Sequence, residues 1–149
     1  MVARSVEAET RLLEEYRTLE YILLGDLRDL LEEPPDEQNR RWLRAILHAL
    51  LDTLPREFAL RQQGGYLSEV VDQHPNWCGQ VDSLQEEKRH LYERLQQLHA
   101  RLLHHESFRS VARQLRGELR DWINHLVAHH RHERRLVQSA FNTEVGVGD

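Results

Sequence analysis

Six residues interrupt otherwise apolar ladders in this chain with side chains that can do chemistry: Tyr16, Glu57, Arg61, Lys88, His129 and Glu133. Carboxylate, imidazole and phenolate groups are metal donors, and phenolate with carboxylate suits a hard ion such as ferric iron. His125, His129 and Glu133 follow at four-residue steps, the spacing that lets one helix offer several ligands to a single ion. Arg61 and Lys88 belong to a different chemistry. Arginine stays protonated in proteins and lysine must lose its proton before it offers a lone pair, so both repel a metal and attract carboxylates. One reading is therefore a reduced metal site in which Tyr16, Glu57, His129 and Glu133 hold iron or zinc. Another is a buried cluster in which Arg61 and Lys88 balance Glu57 and Glu133, with Tyr16 and His129 as bridges. A third leaves the long cations on the edges of their stripes, with their heads in water.

The elements that must position these groups are helices. Leu12, Leu19, Leu23, Leu27 and Leu30 recur at helical steps, and Ser5 offers a cap, so a first helix is expected over about 5–32 until Pro34-Pro35 stops it. Asp36 can cap a second over about 37–63, carried by Leu43, Ile46, Leu47, Leu50, Leu54 and Phe58 with Pro55 tolerated inside. Gly64-Gly65 opens a long link, 64–78, holding a short helix from Leu67 to Gln73. Val81, Leu84, Leu91, Leu95, Leu98 and Leu102 predict a third helix over about 79–104. Val111, Leu115, Leu119, Trp122, Leu126, Leu136 and Ala140 predict a fourth over about 108–142, with 143–149 leaving it as a tail. No strand signal or repeat is visible, and four long amphipathic helices on two short turns and one longer link read as an all-α, up-down-up-down four-helix bundle. On the ladders 12-16-19-23, 54-57-61, 84-88-91 and 126-129-133 the six polar residues are expected near one level of that bundle.

Composition narrows the functions. The 149 residues fit one domain, and a net charge of −5 with a sequence pI near 6.1 argues against nucleic acid as a partner. The apolar run Tyr21 to Leu24 is far too short to span a bilayer, and no signal-peptide core is visible near Met1, so a cytoplasmic protein without a membrane partner is expected. The single cysteine, Cys78, excludes an intramolecular disulfide and a multi-cysteine zinc site. No serine-hydrolase elbow, P-loop or dinucleotide fingerprint occurs. Of the neighbouring His129, His130 and His132, at least two are expected at the surface. Arg40-Arg41 and Arg134-Arg135 read as solvated faces, and Trp42, Trp77 and Trp122 as residues packing at helix ends and in the core.

Several strings carry a family resemblance: Leu12-Leu13-Glu14-Glu15-Tyr16, the run from Glu57 through Arg61 and Gly64-Gly65-Tyr66-Leu67, Leu84-Gln85-Glu86-Glu87-Lys88, and the ending from His129 through Glu133 to Asp149. Together they resemble the bacterial hemerythrin-like domains over nearly the whole chain. In that family histidines and carboxylates from all four helices hold two irons. By position the resemblance puts Tyr16, Glu57 and Lys88 where histidine is expected and Arg61 where a bridging carboxylate is expected. It implies a non-catalytic, hemerythrin-like module, monomeric or homodimeric, whose di-iron site has been replaced by a charge cluster. Such a module binds no cofactor of its own and serves in binding or regulation, with a protein partner. The alternative is a metalloprotein holding one or two irons, or zinc, at a reduced Glu/His/Tyr site, for oxygen or iron sensing or storage.

Overall fold

Period and punctuation in the sequence become four long helices among the described residues. The computed structural model describes residues 2–63, 71–104 and 108–147. Helix α1 spans Val2–Leu30, α2 Glu37–Gln63, α3 Cys78–Leu103 and α4 Phe108–Val147, and residues 71–73 and a 3-10 turn, Pro75–Trp77, lead into α3. Among the described residues there is no strand, and no helix is long and apolar enough to cross a membrane. Each long helix packs against the one before it. The Gly64-Gly65-Tyr66-Leu67 segment lies outside the described residues.

Ends are set by local chemistry. Asp36 Oδ1 accepts the amide of Asn39 at 2.8 Å and caps α2, while Asn39 Nδ2 donates to Leu30 O at 2.9 Å and closes the end of α1. Arg120 Nη2 reaches Leu31 O at 2.9 Å and Arg116 reaches Glu33 O, so guanidinium groups from α4 satisfy carbonyls at the negative end of α1. Two expectations fail at the termini. Ser5 lies inside α1, which already begins at Val2, and α4 continues through residues 143–147 instead of stopping near 142. Backbone hydrogen bonding propagates a formed helix at little cost, and Gly146 costs little in a last turn.

The core is a leucine seam in two parts. Leu23, Leu27, Leu47, Leu54, Leu95 and Leu126 belong to the larger part, and Trp122 is buried there with Nε1 donating to Leu91 O at 2.8 Å. Val81, Leu84, Leu136 and Ala140 form the smaller. Burial departs from the ladders in places. Leu12, Leu19 and Val111 are exposed, and so is Trp42, at 55%. Arg40, expected in water, is buried because its guanidinium bridges Glu37 (2.8 Å) and Leu102 O (2.5 Å). A buried charge is stable only when paired in this way.

Candidate functional site

Between the two apolar parts of the core lies a polar layer. On α3 it falls between Leu84 and Leu91, at Lys88. On α4 it falls between Leu126 and Leu136, and on α2 it follows Leu54. Glu20, Glu57, Lys88, His129 and Glu133 are all buried in it, Glu57 completely.

Glu57 is the pivot on α2. Its Oε1 accepts from Arg61 Nη2 at 2.8 Å and from Nε at 3.2 Å, one helical turn later on the same face. Arg61 Nη1 also stands 3.7 Å from Glu133 Oε2 on α4. Lys88 Nζ approaches that same oxygen from α3 at 3.8 Å, and His129 Nε2 lies 3.6 Å from it. Lys88 hovers 5.3 Å above the Phe58 ring, and Phe58 meets His129 edge-on, so one aromatic ring shares in holding the ammonium. His129 Nδ1 is 2.9 Å from Glu87 Oε1 on α3, whose other oxygen is 2.9 Å from His132 Nδ1. On the α1 side, His130 Nε2 lies 2.7 Å from Glu20 Oε1.

The electrostatics follow from this burial. Loss of water, reinforced by the neighbouring Glu20, pushes the Glu57 carboxyl up to about 7 against the pull of Arg61. The same loss pushes His130 down to about 4, with Arg61 adding to the effect, and also lowers His129 against its bond to Glu87. His130 is therefore neutral at pH 7 and donates its Nε2 proton to Glu20. Burial lowers the Lys88 ammonium, and Glu133 opposes that.

Of the six residues singled out in the sequence, the structure brings five together: Glu57, Arg61, Lys88, His129 and Glu133. Tyr16 stands apart. It is half-buried beside Arg56, whose guanidinium it raises. Its place in the layer is taken by Glu20, one turn further along α1. His130 was also missed, together with Glu87 and Phe58. The signal for Glu20 and His130 was present: Glu20 is four residues beyond Tyr16, and His130 lies on the ladder 119-123-126-130-133. The expectation that two of the three histidines 129, 130 and 132 face water fails, because His130 is 17% exposed at its side chain and only His132, at 44%, is open. His125 is exposed outside the layer, on the wall of a groove of about 730 Å³ between α3 and α4 that Leu91 and Trp122 also line. Cys78 is free and exposed, 3.8 Å from Asp82 Oδ2.

A dinuclear iron centre does not fit these residues. Arg61 and Lys88 both stand within 4 Å of Glu133, and at ~4 Å and an effective dielectric near 20 each unit of like charge would repel an ion by ~4 kcal/mol. Comparison with protein-family models, curated proteins and solved structures found no match to this chain.

Proposed function

We propose that the chain is an up-down-up-down four-helix bundle of hemerythrin-like architecture in which side-chain cations occupy the level where that family holds two irons. It acts as a non-catalytic binding or regulatory module in the cytoplasm. One observation carries this reading: the Arg61 guanidinium and the Lys88 ammonium converge on one carboxylate oxygen of Glu133 inside the buried layer. Cations at that point do electrostatically what metal ions would otherwise do. They neutralise carboxylates gathered from different helices and tie those helices together. A protein built this way exchanges oxygen or iron chemistry for a fixed internal structure, and its role then rests on the surface it presents to a partner.

Elemental analysis and an optical spectrum of protein purified after growth in iron-rich medium test the reading. Protein with fewer than two irons per chain and without oxo-bridged charge-transfer bands is expected. Two irons per chain with oxo-bridged charge-transfer bands would overturn it.

A further inference from the structure

The layer is not electrically balanced by its own side chains. Three buried carboxyl groups, Glu20, Glu57 and Glu133, face two cations, Arg61 and Lys88, so with all three ionised one negative charge is left over, and the rise of Glu57 to about 7 is the response to that excess. The excess sits on one side. Arg61 and Lys88 both lie within ion-pair distance of Glu133, and Arg61 takes only Oε1 of Glu57, while Glu57 Oε2, fully buried, has no cation or N–H donor and only the Glu20 carboxyl group beside Glu57. There a carboxylate oxygen of Glu57, a carboxylate oxygen of Glu20 and a ring nitrogen of His130 lie within 4.8 Å of one another, brought from α2, α1 and α4.

We infer that Glu20, Glu57 and His130 form a site for a single divalent transition-metal ion. This inference rests on the reading of the layer as filled by side-chain cations, and it places the ion on the side those cations leave unbalanced. Two carboxylates and one imidazole make a mixed O/N donor set suited to ions from manganese(II) to zinc(II). Ligands ~2.1 Å from an ion stand about 3–4 Å apart, so side-chain rotation closes the present spacing. On binding, the ion takes the Nε2 lone pair of His130 as the ring's single proton shifts from Nε2 to Nδ1, and Glu57 gives up to solvent any proton it carries. With two carboxylates the ion forms a neutral set, and it replaces the like-charge contact of Glu20 with Glu57 by a common partner. It also joins α1 to α2 and α4 at one point, so occupancy stabilises the packing of α1 on the rest of the chain.

The experiment is a cobalt(II) titration of the full chain after chelator treatment, followed through visible d–d absorption and displaced by zinc(II). One cobalt per chain is expected, with at least a tenfold loss of affinity in Glu20→Gln and in His130→Gln and no change in His125→Ala. Where Glu20→Gln does not fold, Glu20→Asp keeps the charge but withdraws the oxygens, and the same tenfold loss is expected. Folded protein that gives no d–d spectrum overturns the inference and leaves the proposed function standing. So does binding that survives in Glu20→Gln and His130→Gln but disappears when the groove histidines His90, His125 and His132 are removed. Two ions per chain in the layer would overturn the proposed function as well.

Discussion

Lys88 on α3 and Glu133 on α4 face each other at 3.8 Å between two apolar regions, both nearly closed to water. At that distance the pair is a buried ion pair whose partners have no alternative hydration. Removing Lys88 leaves the buried Glu133 carboxylate with Arg61, 3.7 Å away, as its remaining cation, so the loss approaches but does not exceed the ~3–5 kcal/mol of a fully stranded buried charge. Lys88→Met should therefore destabilise the protein by ~2–3 kcal/mol. Lys88→Ala should cost ~1–2 kcal/mol more, because it also opens a cavity beside Phe58 and Leu91. Adding Glu133→Gln to Lys88→Met should recover part of the loss, since the stranded carboxylate goes with it. Urea unfolding measures all three. Variants that melt with the parent would show that Lys88 is hydrated.

Glu57 and His130 predict opposing pH dependences. The Glu57 carboxyl titrates higher in the folded chain than in the unfolded one, so between about pH 4.5 and 7 the folded state binds more protons and this group lowers stability as pH rises. His130 titrates lower when folded, so between about pH 4 and 6.5 the unfolded state binds more protons and this group raises stability as pH rises. The two slopes oppose each other across most of that range. In Glu57→Gln the opposing carboxyl slope is gone and the slope of His130, reinforced by the likewise lowered His129, should emerge, with stability climbing more steeply with pH than in the parent. In His130→Gln the Glu57 slope should remain against His129 alone, with stability climbing less with pH than in the parent, or falling, between pH 4.5 and 7. Denaturant midpoints measured at half-unit pH steps decide this, and identical profiles for the two variants would contradict it.

Trp122 is buried and donates its indole N–H to Leu91 O, which ties α4 to α3 one turn from Lys88. Trp122→Phe keeps the aromatic packing but loses that bond and some volume, for a cost of ~2 kcal/mol. The helical circular dichroism should be unchanged while the denaturation midpoint drops. A variant as stable as the parent would mean that the indole bond contributes nothing.

The start of α2 depends on one cap. Asp36→Ala should cost about 1 kcal/mol by freeing the Asn39 amide, and Asp36→Asn, which still offers an oxygen, should keep most of that. Equal losses in the two variants would assign the effect to charge at the helix end instead of the cap.

Much of the helix plan was legible because it depends on neighbours in sequence. Pro34-Pro35 and the Asp36 cap bound α1 and α2, and leucines at three- and four-residue steps mark the buried stripes; each of these is a local property of backbone and side chain. The polar interruptions at Glu57, Lys88, His129 and Glu133 were legible for the same reason, since a charge on an apolar stripe stands out by its position alone. Which residues meet across helices was not. Successive helical residues differ by 100° around the axis, so Leu19 and Glu20, or His129 and His130, differ only in how far the helix is rotated against its neighbours. Periodicity favoured Leu19 for the interior, yet Glu20 is buried and Leu19 is exposed. That outcome is stable only because His130 arrives from α4 to take the carboxylate, and Tyr16 turns toward Arg56. The excess of carboxylates on one side of the layer was likewise decided by tertiary structure. Charge balance within a buried layer is a property of groups more than a hundred residues apart in the chain, as Glu20 and His130 are, and only the rotation and packing of whole helices settle which of them share it.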